Sequence, residues 1–290
     1  MTFPSAEATA GVAGLVQQPL SRPGPGPLRR AADTALQASA AVWFSVAVVG
    51  QLLFAFYVAS FYGGAAIHGD LARWNKVLPH GYVVGDTIGN VAVGAHLLLA
   101  IVITVGGAIQ LVPQVRSRAP ALHRWNGRIY LPTAFAISGI GLYMLGTRGA
   151  VGGMAQHVAI GINAVLIMLC AAMALRHALA RKFKVHRRWA LRLFLVVNGV
   201  WFFRVGLMLW ILVNKAPVGF DPVTFQGPFL TFLAFAQYLL PLAVLEVYLR
   251  TQDSAGAFGR IAMAAGLLAL TLAMGIGIFA AGLIMWLPRF

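Results

Sequence analysis

Seven long apolar runs dominate the pattern of hydrophobic and polar positions along the chain. Each has close to the roughly 20 apolar residues that a helix needs to cross about 30 Å of hydrocarbon. None alternates polar and apolar positions as a lumen-lining barrel strand does. The runs lie at about 40–61, 88–112, 128–145, 154–175, 189–213, 229–249 and 261–287. The pattern predicts an all-α polytopic membrane protein, with a domain of seven transmembrane helices at residues 38–290.

The stretch before the first run has a different composition. Residues 1–37 are rich in Pro, Gly, Ala and Ser, and the alternating prolines between Arg22 and Pro27 prevent a helix there. The stretch lacks the basic region, short apolar core and small-residue cleavage site of a signal peptide. We therefore expect residues 1–37 to form a flexible cytoplasmic tail, and the first helix to act as an uncleaved anchor.

The composition of the chain indicates the class of protein, and the placement of its charges indicates the topology. A chain that is 60% hydrophobic and 10% charged is not an ordinary soluble domain. Its net charge of +15 comes largely from Arg and Lys in the tail and in the connections at 113–127 and 176–188. By the positive-inside rule these segments are cytoplasmic, and seven crossings place the C-terminus outside. We expect a bacterial inner (plasma) membrane location, the lipid bilayer as partner and no nucleic acid.

Four histidines repeat in two pairs of helices. His96 precedes His123 by 27 residues, and His157 precedes His186 by 29. The first member of each pair lies in the first third of an apolar run, and the second is followed at once by an arginine. If consecutive helices are antiparallel, His96 and His157 lie at one membrane face, and His123 and His186 at the other. We call these the outer and the inner pair.

The histidines are candidate haem ligands, because histidine in hydrocarbon is rare and needs a partner. At equal depth on parallel helices, His96 and His157 could each give one nitrogen to the iron of a six-coordinate haem b, which has no open site and transfers electrons. His123 and His186 could hold a second haem. The arginines that follow them would receive its propionates: Arg124 and Arg187. The alternatives are interhelical hydrogen bonds for each histidine and a lipid-contacting surface for the inner pair.

Two intramembrane charges need partners. Arg204 lies 18 residues after His186, which returns it to the level of the outer pair. An unpaired arginine there costs about 2.5–3.5 kcal/mol even on the lenient scale. We expect a propionate of the outer haem beside it; the alternatives are an anionic substrate, water with backbone carbonyls, or Asp86, which could also cap the second helix. Glu246 is expected to pair with an arginine of the basic loops.

Two motifs carry a resemblance to known families. The segments LHRWNGRIY at 122–130 and VHRRWALR at 185–192 resemble the DUF2306 family of bacterial membrane proteins, over about residues 85–250. The four-histidine layout is similar to that of the cytochrome b561 group, in which the first histidine pairs with the third and the second with the fourth. This similarity implies a haem-binding core of four helices at residues 85–213. A His-Arg-Trp-x-Gly pattern also opens a helix in ferric-reductase-like membrane domains.

These features predict transmembrane electron transfer by a cytochrome b561-like, bis-histidine haem b protein, which would make the chain a transmembrane oxidoreductase. The electron donor would be a quinol or a cytoplasmic reductant, and a homo-oligomer is compatible with this function. One alternative is a cofactor-free transporter or sensor whose histidines and Arg204 line a proton or anion path. Another is a structural subunit that needs a partner chain. The long connection at 62–87 either caps a site or is a solvated loop.

Overall fold

The computed structural model describes residues 26–289 as helices joined by short connections, with no strand in that range. Within the described residues six helices are long and apolar enough to cross a membrane, and a bent pair makes a seventh if it crosses as one span. The predicted all-α polytopic fold is confirmed. The helices are α1 Pro27–Val58, α2 Gly64–Ile67, α3 Thr87–Leu111, α4 Pro113–Arg118, α5 Pro120–Arg148, α6 Met154–Leu179, α7 Phe183–Val197, α8 Gly199–Asn214, α9 Pro228–Ser254 and α10 Ala257–Ala280.

The first helix begins earlier than predicted. α1 starts at Pro27, inside the segment that was expected to be a flexible tail through residue 37. Proline suits the first helical position because its missing N–H would have no partner there. The residues that follow are good helix formers, among them six alanines between Pro27 and Ala41. The rest of the predicted tail, residues 1–25, lies outside the described residues.

The fifth span is not the single helix that was predicted at 189–213. It consists of α7 and α8, which meet at Asn198 with a bend of 54°. The Asn198 side-chain amide donates to the Phe194 carbonyl at 2.7 Å, so it satisfies a carbonyl at the end of α7. A Cβ on Gly199 would lie 2.9 Å from the Asn163 amide nitrogen of α6. Glycine therefore lets the bend approach the neighbouring helix.

The helices form two groups. Helices α3, α5, α6 and α7 contact one another in sequence order, and α7 also contacts α3. Their shared core is filled by buried side chains, including Tyr130, Ile137, Ile167 and Leu193. The second group is made by α1, α10, α8 and α9, with α1 against α10 as its most extensive contact. The first group contains three of the four spans expected to form the core and the first half of the fourth, whereas α8, its second half, belongs to the second group.

The two ends of the molecule differ in composition. We call the end with the connections at 113–127 and 176–188 the basic end. At the opposite end, α1 continues through a π-helical turn, Ala59–Gly63, and α10 continues through another, Ala281–Trp286. The connection between α2 and α3 contains a 3₁₀ helix, Leu71–Lys76, whose Trp74 indole donates to the Tyr62 carbonyl at 3.0 Å. That connection therefore folds back onto the end of α1.

Candidate functional site

His123 and His186 both lie at the basic end, each in the first turn of its helix, α5 or α7. His123 lies within electrostatic range of His186, Arg116 and Arg124. The N-terminal ends of α5 and α7 therefore lie at the same end of the molecule as these arginines. Free backbone N–H groups and the positive ends of the helix dipoles both favour an anion at such a place. The inner pair thus shares one basic surface suited to carboxylate groups.

One ring nitrogen of His186 is already oriented by the protein. Its Nδ1 lies 2.8 Å from the carbonyl oxygen of Ala174 in α6. A carbonyl can only accept, so Nδ1 carries a proton, and in the neutral ring Nε2 then has the lone pair. Metal-bound histidines commonly have this arrangement, in which a carbonyl holds the nitrogen that does not bind the metal. His186 is therefore oriented as a ligand would be.

His123 is held less firmly. Its Nε2 lies 3.5 Å from the side-chain nitrogen of Gln110 in α3, at the limit of a hydrogen bond. Its Nδ1 is buried and has no hydrogen-bond partner within residues 26–289. Burying a polar atom without a partner is costly. The His123 ring could therefore bind a ligand while giving up only one weak hydrogen bond with the protein.

The motif at 122–130 mainly fastens α5 to α3. Asn126 donates its amide to the Gly106 carbonyl and to the Gln110 side-chain oxygen, each at 2.8 Å. A Cβ on Gly107 would lie 3.2 Å from the Tyr130 ring, so glycine allows the two helices to approach closely. Gln110 links this contact to His123. Gln110 is therefore an interhelical hydrogen bonder between α3 and α5.

The second motif repeats part of this geometry. In α5 the Arg128 guanidinium lies over the Trp125 ring at 4.9 Å, and in α7 that of Arg192 lies over Trp189 at 4.8 Å. Each pair is three residues apart, which places both members on one helix face. The histidines of both motifs also contact the preceding span. The repeat read from the sequence is thus matched in side-chain contacts.

The outer pair is arranged differently. His157 Nε2 accepts the backbone N–H of Ala150 at 2.8 Å, and so closes the turn between α5 and α6. His96 lies against α5, where a Cβ on Gly141 would be 3.3 Å from its Cε1. Helix α5 packs against both α3 and α6, the helices that carry these histidines. Each outer histidine thus contacts α5 or the turn that follows it.

The two outer histidines also differ in their position along their helices. His96 lies nine residues after the start of α3 at Thr87, and His157 lies three after the start of α6 at Met154. At 1.5 Å per residue the difference is about 9 Å measured from the two helix starts. The expectation of equal depth assumed comparable starts, which the structure does not have.

Arg204 has an aromatic rather than an acidic environment. Its guanidinium lies 5.3 Å from the centre of the Phe54 ring of α1, and donates a long bond of 3.3 Å to the Val200 carbonyl. Tyr57, Tyr62 and Arg289 are within electrostatic range. Asp86, one of its expected partners, pairs with Arg148. The remaining candidates are therefore a bound anion and the long carbonyl bond.

The acidic residues of the helices pair with other arginines. Glu246 meets Arg192 at 2.7 Å, which confirms that Glu246 partners an arginine of the basic region. Asp86 caps α3 by accepting the Gly89 N–H at 2.9 Å, as predicted. Its ion pair with Arg148 was missed, because an arginine at the end of an apolar run carries no signal for a particular partner.

Comparison with known proteins gives one match. A sequence model described as a predicted membrane protein (DUF2306) matches residues 93–240, just over half of the chain. The chain belongs to the DUF2306 family. The resemblance stated from the two motifs is thereby confirmed. No curated protein and no solved structure matches the chain of this DUF2306 protein.

The matched segment of the DUF2306 protein extends from α3 into α9. It contains the four histidines, both motifs and Arg204. It omits α1 and the π-helical end of α10, which provide the aromatic surroundings of Arg204. The four-helix core thus lies within the family's matched region. The similarity to the cytochrome b561 group stays a prediction.

The two pairs differ in the ring nitrogens that they leave for a ligand. At the inner pair His186 has a free Nε2 and His123 has a buried Nδ1 without a partner within residues 26–289. At the outer pair the Nδ1 of His96 is also buried without a partner in that range, but one nitrogen of His157 is engaged by the Ala150 backbone. Two apolar grooves of about 490 and 500 Å³ lie on the outside of α1 and α8–α10, and no histidine lines either.

Proposed function

We propose that this DUF2306 protein transfers electrons through haem b held by His123 and His186 at the basic end. The observation that carries the proposal is that His123 lies within electrostatic range of His186 and of two arginines, while the Ala174 carbonyl orients the His186 ring. Haem would supply a one-electron couple. His123 and His186 would each supply an imidazole nitrogen, and the basic surface would hold the propionates.

The ligand count favours haem over a bare metal ion. Within residues 26–289 no group of three or more His, Cys, Asp or Glu side chains could hold a metal. A structural or catalytic zinc needs three or four protein ligands. A porphyrin brings four nitrogens of its own, so two histidines complete its coordination. The inner pair is sufficient for haem and insufficient for zinc.

Neighbouring residues have separate tasks under this proposal. Arg116 and Arg124, with the first turns of α5 and α7, attract propionate carboxylates. Gln110 and Asn126 fix the helix face from which His123 projects. Arg187 is exposed and lies within electrostatic range of Tyr248 in α9, so it belongs to the edge of this surface.

The proposed partners follow from a single haem at one end. One haem near the basic face cannot carry an electron across the bilayer alone, so the exchange takes place at that face. A quinol dissolved in the membrane or a cytoplasmic reductant would donate the electron. A second copy of the chain is compatible with this role.

We further propose a bacterial inner membrane location with the N-terminus in the cytoplasm and the C-terminus outside. The arginine-rich connections at 113–127 and 176–188 support this orientation. Replacing the buried Cys170 by alanine gives a cysteine-free background for scanning. Cysteines introduced at 176–188 should resist impermeant reagents added outside intact cells. Their labelling from outside would reverse the topology.

Visible spectroscopy of the purified full-length chain tests the haem proposal. We expect a sharp α-band on reduction and about one haem iron per chain. His123→Leu and His186→Leu should each remove the band. His157→Leu and His68→Leu, the latter in the connection before α3, are matched controls that should retain it.

Two results would overturn the proposal. Protein purified from haem-sufficient cells without the band would exclude haem. A band lost in His96→Leu or His157→Leu but kept in the His123 and His186 variants would transfer the haem to the outer pair. Size-exclusion profiles of all variants separate loss of ligand from loss of fold.

The second candidate is a cofactor-free transporter or sensor with an anion path. The specific observation in its favour is Arg204, a cation within an apolar helix whose surroundings are aromatic. It predicts no α-band and a response to anions that depends on Arg204. A single visible spectrum therefore distinguishes the two candidate functions.

A further inference from the structure

The acidic side chains of the described residues leave Arg204 without an ion pair. Of the seven acidic residues in the sequence, Glu7 precedes residue 26. Four others form ion pairs with different arginines: Asp33 with Arg260, Asp86 with Arg148, Glu246 with Arg192 and Asp253 with Arg188. Asp70 and Asp221 lie in connections between the helices. No acidic side chain within 26–289 forms an ion pair with Arg204.

A second cation increases the need for an anion. Arg289 lies within electrostatic range of Arg204, and its Nη1 lies 3.4 Å from the Tyr57 hydroxyl. Two like charges in an apolar region repel each other more strongly than in water. An anion between them would relieve both the repulsion and the desolvation cost.

Further hydrogen-bond donors surround these arginines. Tyr62 is 5% exposed, shares a side-chain hydrogen bond with Tyr57, and lies within electrostatic range of both Arg204 and Arg289. The Trp286 indole N–H is buried without a partner in the described residues. Guanidinium and indole groups can only donate, and a phenol donates readily. The cluster therefore offers donors from three elements, and residues 26–289 supply it with no charged acceptor.

Two π-helical turns build this cluster. The turn Ala59–Gly63 carries Tyr62, and the turn Ala281–Trp286 carries Trp286. Trp286 packs on Tyr57 at 6.3 Å and on Phe54 at 5.7 Å between ring centres. Such turns are rare and occur often at functional sites. Two of them at one site indicate a local geometry that regular helices would not provide.

The connection before α3 lies over this cluster. Arg73 donates to the backbone carbonyl of Arg289 at 2.9 Å, and its guanidinium lies 5.1 Å from the Phe61 ring centre. Trp74, 5% exposed, binds the Tyr62 carbonyl through its indole. The 3₁₀ helix therefore packs over the cluster at the end opposite the basic end.

We propose that Arg204, Arg289, Tyr62 and Trp286 form a binding site for an oxyanion, a phosphate or carboxylate group. The aromatic rings Phe54 and Tyr57 would contact an apolar portion of the same molecule. The oxyanion can belong to an anionic lipid headgroup or to a water-soluble organic anion. The site is independent of the inner histidines, and its test uses no haem signal.

Thermal unfolding of the full-length protein in nanodiscs tests the site. One arm compares phosphatidylcholine nanodiscs with discs that contain phosphatidylglycerol. The other adds sodium phosphate or benzoate to phosphatidylcholine discs, with sodium chloride at matched ionic strength. Ligand that binds only the folded state raises the unfolding midpoint in proportion to RT ln(1 + [L]/Kd). We expect a rise in at least one arm, and the arm that responds identifies the source.

Variants decide whether the response belongs to this site. Arg204→Gln and Arg289→Gln should abolish the rise, while Arg250→Gln, an exposed arginine of α9, should keep it. Tyr62→Phe preserves shape and should weaken binding about tenfold through one lost charged hydrogen bond. The proposal is overturned if the wild type responds in neither arm. It is also overturned if the Arg204 and Tyr62 variants respond like the wild type.

Discussion

Arg148 at the end of α5 pairs with Asp86 at the start of α3, with Nη2 2.7 Å from Oδ2. The same guanidinium donates to the carbonyls of His80 and Gly81 and to the Asn90 side chain, at 2.8–3.0 Å. One side chain, itself 7% exposed, therefore ties the connection before α3 to two helices. That connection also covers the proposed oxyanion site.

Loss of Arg148 should loosen this connection. Arg148→Gln removes most of these bonds, and a hydrogen bond to a charged group contributes about 1.5–3 kcal/mol. We expect hydrogen exchange of the amides at 78–86 to quicken at least about tenfold, because local opening becomes easier. Arg118→Gln, an exposed arginine of α4, is the control. Unchanged exchange would mean that the Trp74–Tyr62 bond suffices to hold the connection.

The same pair should make the connection sensitive to acid. Arg148 holds the pKa of Asp86 below its ordinary value, with a further contribution from the Gly89 N–H. A carboxyl group with a lowered folded pKa stabilises the fold above its unfolded value, near 3.9, and loses this contribution as pH falls through the folded pKa. The effect is modest, since Asp86 is 41% exposed.

Exchange measured against pH checks this expectation. Protection at 78–86, corrected for intrinsic rates, should be constant down to about pH 5 and fall below about pH 4. Asp86→Asn keeps a capping residue but removes the charge, so it should weaken protection and flatten the profile. Asp221→Asn is a matched control, since Asp221 also has a lowered pKa, from the Val223 N–H and the Thr224 hydroxyl. A wild-type profile without pH dependence would show that the ion pair adds nothing.

Asn126 should matter more for stability than its polar character suggests. It makes two hydrogen bonds to α3, and interhelical hydrogen bonds in membranes contribute about 0.6 kcal/mol on average and up to about 1.7. We expect Asn126→Ala to lower the free energy of unfolding by about 1–2 kcal/mol in a detergent titration. Gln114→Ala, at an exposed position of α4, should have no effect. Equal stability of the two variants would contradict the role given to the motif.

The features that the sequence predicts best are those that depend on the average hydrophobicity of a long segment. Apolar runs near 20 residues must cross the bilayer as helices, so the spans could be predicted without knowledge of their neighbours. The Asp86 cap and the Glu246 partner were also predictable, because each follows from a local position at a helix end. These features need chain position alone.

The histidine sites depend on more than position. Counting residues gives depth along a helix axis, but each residue also turns the side chain by about 100°, and a shifted helix start changes the depth. His157 illustrates both effects, because α6 starts only three residues before it and its ring closes a turn. The bend at Asn198 was also difficult to predict. Asn and Gly are tolerated within a buried span when neighbouring groups satisfy the backbone, so their presence does not by itself indicate a bend.

Glycine at 277 should be essential for seating α10 against α8. A Cβ there would lie 2.6 Å from the backbone carbonyl oxygen of Val205, which cannot move as a side chain can. Gly277→Ala should therefore destabilise the protein by about 1–3 kcal/mol, as overpacking does. Gly266, on the same helix, has open space where its Cβ would be, so Gly266→Ala should be neutral or slightly stabilising.

Because Val205 adjoins Arg204 and α10 leads into the turn with Trp286, Gly277→Ala should also weaken the midpoint rise produced by the responsive oxyanion. Equal unfolding midpoints for the two alanine variants would show that α10 seats on α8 less closely than the Val205 contact requires.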